Sequence, residues 1–162
     1  MILELRQIPG PLLEALSSLD TRLFGAAAWG REGFLRSAGQ AYDHLLVCVE
    51  KELEELPGKN EARDCRLLGY ALLRVLDDAE LLQIGVNEEC RRRGIGRALL
   101  RESLRLADEK NVFLEVREGN GPARGLYANC GFSEIGRRKR YYTDPQEDAV
   151  LMERKFCGKI LK

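Results

Sequence analysis

Residues 89–97 read ECRRRGIGR: three consecutive arginines run into two glycines that flank a single isoleucine. The segment before it, AELLQIGV at 79–86, has the length and apolar content of a strand. After it, Ile95, Ala98, Leu99, Leu104 and Leu106 recur among arginines and acids, which predicts an amphipathic helix from Gly94 to about Lys110. The densest charge therefore sits on a loop that opens a helix. There the first backbone N–H groups have no intrahelical partner, and the helix dipole favours an anion. With no Cβ at positions 94 and 96, the oxygens of a pyrophosphate can approach several N–H groups at once, while Arg92, Arg93 and Arg97 add charge-assisted contacts. A P-loop would require lysine and serine or threonine after the last glycine, where this chain has Arg97 and Ala98. A dinucleotide fingerprint would require a third glycine near position 99, which is a leucine.

Outward from this loop the chain alternates element types. ILELRQI at 2–8 is a first strand closed by the turn PGP, and Leu12, Leu13, Leu16 and Leu19 then recur at helical spacing. WGREGFLRSAG at 29–39 is a second short helix ending at glycine. HLLVCVE, RLLGYALLRVL and AELLQIGV make three adjacent strands, which suggests an antiparallel meander. Between the first two lies KELEELPGKNEARDC, a charged stretch with Pro57-Gly58 at its centre, expected to be a solvated excursion. Beyond the helix come a strand NVFLEV, a helix over about 122–129 with Asn120 as cap and Gly131 past its end, a strand from Phe132 and a last strand DAVLMERKF. The order is mixed α/β, and no linker or composition break divides it, so residues 1–162 are expected to form one domain.

Composition narrows the partner class. The chain has 26 basic and 26 acidic residues, so nothing favours non-specific attraction to nucleic acid or to an anionic membrane. No apolar run approaches a membrane span or a signal peptide. The five cysteines are widely spaced without a C-x-x-C pair, which suggests neither a disulfide framework nor a zinc site and fits a reducing cytoplasm.

RRRGIGRALL resembles the R/Q-x-x-G-x-G/A acetyl-coenzyme A loop of the GNAT acetyltransferase superfamily. AELLQIGV, FLEVREGN, ARGLYANCGF, RRKRYY and EDAVLM are similar, in order and spacing, to the ribosomal-protein-alanine N-acetyltransferases known as the RimI family. The resemblance is close over about 79–152 and loose over the first 78 residues. It implies the GNAT fold, a central, mostly antiparallel twisted sheet flanked by helices, and an enzyme that uses acetyl-coenzyme A without a metal. It further implies that Ile84, Gly85 and Val86 hold the pantetheine arm and thioester, with an oxyanion donor at Val86. Arg92, Arg93, Gly94, Ile95, Gly96 and Arg97 would take the pyrophosphate, and Asn120 would contact the coenzyme. Glu115 and Tyr127 match the family's general base and general acid, and Tyr141 and Tyr142 would line the acceptor cleft. The implied acceptor is a protein N-terminal α-amine, such as the alanine of a small-subunit ribosomal protein.

Acetyl transfer to an amine needs a neutral nucleophile, a donor for the developing oxyanion and a proton for the leaving thiolate. In NVFLEV, alternation places Val112, Leu114 and Val116 on one face and Glu115 with Phe113 on the other. The residues alone also allow a solvent-facing Glu115 paired with Arg117, and Tyr127 as an aromatic core anchor. His44 has no partner motif, Cys130 falls where a helix ends, and Arg137 to Arg140 fits a solvated strand face. The alternatives are a GNAT enzyme acting on a small-molecule amine or a lysine side chain, and a non-catalytic acyl-coenzyme A sensor; the presence of both Glu115 and Tyr127 speaks against the sensor.

Overall fold

The computed structural model describes residues 1–50 and 66–157, so the charged excursion expected at 51–65 lies outside the described residues. The described elements are β1 (Ile2–Leu5), α1 (Gly10–Phe24), α2 (Gly30–Ala38), β2 (Asp43–Val49), β3 (Leu67–Val75), β4 (Ala79–Val86), α3 (Ile95–Leu106), β5 (Val112–Arg117), α4 (Gly121–Ala128), β6 (Ser133–Thr143) and β7 (Gln146–Arg154). The strands form one sheet in the order β1-β2-β3-β4-β5-β7-β6. Every neighbouring pair is antiparallel except β4 and β5, so the meander of β2, β3 and β4 is present as expected. Several boundaries differ from expectation: β1 ends at Leu5 rather than Ile8, β7 spans Gln146–Arg154 rather than 148–156, and α3 is shorter. Helix α3 ends at Leu106 rather than near Lys110, because Asp108 takes a left-handed φ of 53° and turns the chain toward β5.

Each face of the sheet carries its own apolar cluster. Leu13, Leu16 and Leu19 of α1 and Phe34 of α2 pack with Leu45, Val47, Tyr70 and Leu72 on one face. On the other, Ile95, Leu99 and Leu100 of α3 and Tyr127 of α4 pack with Leu46, Leu73, Leu81, Leu114, Val116 and Met152. Strands β2 and β3, covered on both sides, are almost continuously apolar and buried. Strand β6 at the sheet's edge is nearly all exposed and carries four consecutive basic residues, a composition that discourages pairing with another edge.

Two polar anchors fix the first face. Asp20, fully buried on α1, accepts hydrogen bonds from the Tyr70 hydroxyl at 2.6 Å and from the Gly30 N–H at 2.9 Å, which ties the α1–α2 connection to the sheet. Burial and this bond both push the Tyr70 phenol up, keeping it protonated as the donor. Asp43 on β2 accepts both arms of Arg74 at 2.8 and 3.0 Å and the Ser37 hydroxyl at 3.0 Å. His44 is structural, bonded through Nδ1 to Glu4 at 2.8 Å across the β1–β2 pair.

Glycines set the closest approaches. A Cβ on Gly69 of β3 would stand 2.7 Å from the Gly85 carbonyl oxygen and 3.3 Å from Ile95 and Leu99. Because the nearest obstacle is backbone, Gly69→Ala should destabilise the fold by about 1–3 kcal/mol, the usual cost of overpacking. Urea denaturation measures this, and an unchanged midpoint would mean that β3 and α3 separate freely.

Candidate active site

Strands β4 and β5 pair for only three residues, Ala79↔Val112, Glu80↔Phe113 and Leu81↔Leu114. Beyond that point β4 runs on through Val86 along β3, and β5 runs on through Arg117 along β7, with no ladder between them. The sheet therefore opens into a wedge with backbone on both walls. An irregularity marks the point of parting: Leu72 faces Gln83 but Leu73 faces Leu81, so Leu82 is an extra residue on β4. Its insertion switches the phase of the strand. Ala79 and Leu81 face the α3 cluster before it, and Ile84 and Val86 face that cluster after it.

The predicted anion loop closes the mouth of this wedge. Gly94 caps α3 in the left-handed region, φ 80°, and no atom would meet a Cβ there within 4 Å. Gly96 is different. Its Cβ would lie 3.4 Å from Leu126 of α4 and 3.5 Å from Val86 of β4, so glycine keeps open the space where strand end, loop and α4 converge. Ile95 buries its side chain in the core, which leaves its backbone at the helix start. Arg92, Arg93 and Arg97 are exposed, and among the described residues none of the three forms a salt bridge. Arg91, by contrast, is paired with Glu88 at 3.4 Å, and Arg92 adopts a left-handed φ of 63°. Unpaired guanidinium groups beside a free helix N-terminus suit a polyphosphate. Asn120 caps α4, its side chain accepting from the Ala123 N–H at 3.2 Å.

The two wedge walls present opposite chemistry. Glu115, half-buried on β5, shares its face with Phe113 and Arg117, as alternation predicts. Arg117 does not pair with it. That guanidinium turns to the β6–β7 hairpin, bonding Glu147 and the Pro145 carbonyl at 3.2 Å and the Asp144 carbonyl at 3.0 Å, and it lies 4.1 Å from the centre of the Tyr142 ring. Instead Glu115 meets Arg138 of β6, Oε1 to Nε at 3.1 Å. The Glu115 carboxylate raises the Tyr141 phenol above its ordinary value. Tyr141 and Tyr142 stack edge to face with centroids 5.2 Å apart.

Tyr127 stands on the other face, 5% exposed in the α3–α4 cluster and 5.8 Å, centre to centre, from Phe132. Burial, then the neighbouring Tyr142, raises its phenol, so the hydroxyl stays protonated at neutral pH. Burial of Tyr142, with the charge of Glu115, raises that phenol too. Tyr142 thus lies within electrostatic reach of both Glu115 and Tyr127. Cys130 packs against the core beside α4, and the described residues contain no cluster of potential metal ligands. Arg138 is the neighbour of Glu115 that the run of four basic residues concealed. Nothing in RRKR distinguishes the side chain that reaches Glu115, because the register of β6 on β7 and of β7 on β5 decides it.

The model of the acetyltransferase (GNAT) family matches residues 14–132. The ribosomal protein bS18-alanine N-acetyltransferase of Escherichia coli K12 is 39% identical over 156 residues, covering 86% of this chain and 96% of the relative. The N-alpha-acetyltransferase RimI of Mycobacterium tuberculosis is 43% identical over 144 residues, 85% of this chain and 83% of its own. The crystal structure of the E. coli ribosomal-protein-S18-alanine N-acetyltransferase superposes over 100% of this chain and 99% of that one with a TM-score of 0.70, at 29% identity between structurally matched residues. Arabidopsis thaliana NAA60 in complex with acetyl-CoA shares the fold, with a TM-score of 0.72 at 22% identity over 94% of this chain and 97% of that one. A family model covering most of the chain, and relatives above 30% identity along nearly their whole length, place this protein in the GNAT acetyltransferase family.

Proposed function

We propose that the protein transfers an acetyl group from acetyl-CoA to the α-amine of a protein N-terminus, the N-terminal alanine of ribosomal protein bS18, by direct attack of the amine on the thioester. The printed names of the relatives support the reaction and the acceptor. The observation that carries the reading in this molecule is the wedge: a carboxylate on one face, a protonated phenol on the other and a basic, glycine-lined loop at the mouth. The space kept open by Gly96 fits a thin chain leading to a polyphosphate.

Acetyl-CoA supplies the acetyl group in activated form. On this reading, Arg92, Arg93 and Arg97 and the backbone of residues 94–96 hold its pyrophosphate. Ile84, Gly85 and Val86 offer the wedge side of their backbone to the pantetheine arm. The Val86 N–H stabilises charge developing on the carbonyl oxygen. Asn120 holds the β5–α4 turn beside the coenzyme. Glu115 takes a proton from the entering ammonium, directly or through water, and Tyr127 serves the departing sulfur. Burial lifts the Tyr127 phenol further above a thiol, whose ordinary pKa is roughly 8.5. The second proton shed by the attacking nitrogen passes, through Tyr127 or water, to the departing sulfur, so coenzyme A leaves as the thiol and the phenol, raised by burial, ends the step protonated. Tyr141 and Tyr142 border the acceptor side.

An α-ammonium, with pKa about 8, loses its proton for about 3–4 kcal/mol less than a lysine, with pKa about 10.4. A single carboxylate suffices for it near neutral pH. Among the described residues no helix is long and apolar enough to cross a membrane.

Gly96→Val should weaken acetyl-CoA binding at least tenfold by calorimetry while leaving the protein folded, because the added Cβ makes only ordinary contacts with Leu126 and Val86; undiminished affinity would remove the loop from the coenzyme site. Glu115→Gln keeps size and shape but cannot take a proton, so turnover at neutral pH should fall by about 10²-fold or more with coenzyme affinity intact. Wild-type turnover in that variant would place the base elsewhere. For the acceptor, purified protein should acetylate an alanine-starting peptide faster than the same peptide with a blocked terminus and a free internal lysine. Fragmentation mass spectrometry locates the modified nitrogen, and a higher kcat/KM for the lysine would refute the α-amine assignment while leaving acetyl transfer in place.

A further inference from the structure

The carboxylate assigned above as proton acceptor already holds a cation. Glu115 is 23% exposed at its side chain, and the guanidinium 3.1 Å away belongs to Arg138, which is 56% exposed. Other arginines nearby have their own carboxylates. Arg117 is paired with Glu147, and Arg137 with Glu134 and Glu118. Among the described residues, the salt-bridge partner of Arg138 is Glu115.

Arg138 reaches Glu115 across β7, in register with Ala149 and so with Arg117 beyond it, and an irregularity in β6 follows directly. Arg138 faces Ala149 and Tyr142 faces Glu147, so Lys139, Arg140 and Tyr141 together stand opposite Asp148 alone. The two extra residues are pinned: Arg140 takes a φ of 53°, and its N–H donates to Asp148 Oδ1 at 2.7 Å. This compressed segment carries Tyr141 toward the same carboxylate. It also sets the Arg138 guanidinium 5.5 Å from the centre of the Tyr141 ring, within the range of roughly 6 Å at which a ring face attracts a cation.

We infer that Arg138 is a place-holder for the acceptor's ammonium: its guanidinium occupies the cation position at Glu115 in the free protein, and the incoming α-amine takes that position by displacing it onto the Tyr141 ring. The inference rests on the assignment of Glu115 as proton acceptor. An N-terminal amine with a pKa of roughly 8 arrives largely as an ammonium at neutral pH. Exchange of one cation for another keeps Glu115 compensated throughout, so no lone charge is left in the half-buried wedge. The displaced guanidinium remains over the tyrosine ring and in contact with water. A neutral terminus, such as one already acetylated, has no charge with which to compete. Arg138 is thus a positioning residue that admits cationic nucleophiles and keeps neutral ones from the base.

A half-exposed ion pair is a weak latch, so its displacement should cost the acceptor roughly two- to fivefold in affinity. The test is steady-state kinetics with an alanine-starting peptide on Arg138→Gln and Arg138→Lys. Acceptor KM should fall by that factor in Arg138→Gln, with coenzyme affinity unchanged by calorimetry, and should return toward wild type in Arg138→Lys, which retains the cation. In a Glu115→Gln background, peptide affinity measured by calorimetry in the presence of coenzyme A should not respond to Arg138→Gln, because no carboxylate charge remains to be covered. A raised KM in Arg138→Gln would make Arg138 a binder of the acceptor and overturn the inference, as would an unchanged KM. Full turnover in Glu115→Gln alone would instead refute the proton-acceptor assignment, whatever Arg138 does.

Discussion

The parting of β4 from β5 after three paired residues is the constraint on which the rest of the molecule depends. Two parallel strands in the middle of a sheet ordinarily satisfy each other's backbone groups along their whole length. Here they abandon each other while each keeps its outer partner, β3 for one and β7 for the other. The result is an opening lined by main chain at the centre of a rigid sheet. It stays open because both walls are held from behind. Helix α3 packs beneath β3 and β4, and the Asp20–Tyr70 bond with the tight contact of Gly85 on Tyr70 secures the opposite face.

This arrangement separates two tasks by sheet face. The α3–α4 side carries the basic loop, the close approach at Gly96 and the buried Tyr127, all suited to a coenzyme and its leaving sulfur. The α1–α2 side carries Glu115 with Arg138 and the paired tyrosines of β6, suited to a charged amine. Tyr142 lies within electrostatic reach of groups on both sides. The two halves meet only at the wedge, where the transferred group would lie.

Much of this was legible in the sequence because its signals are local. The alternation in NVFLEV assigns Glu115 its face, glycine spacing places the anion loop, and apolar periodicity yields the element order. Three features were not legible. The end of α3 depends on the backbone angle of Asp108, which DEK does not announce. The extra residue at Leu82 leaves a trace, since apolar positions change phase between Leu81 and Ile84, but an apolar leucine at the junction masks it. The Glu115–Arg138 contact joins β5 to an edge strand across β7, through the pairings of Ala149 with Arg138 on one side and Arg117 on the other. Pairings of this kind arise from tertiary register, and no window of sequence contains them.

Strand β6 has a consequence for how such a protein diversifies. It hangs from the sheet through β7 alone, and almost all its side chains face water. Substitutions or single-residue insertions along it therefore leave both apolar clusters intact, while altering which side chains reach across to Glu115. Position 96 of the basic loop has less latitude, because a side chain there would meet Leu126 of α4 and Val86 of β4. Under drift, packing restrains position 96 beside α4, while the exposed face of β6 is free to vary. A lineage can change what it modifies without rebuilding how it does so.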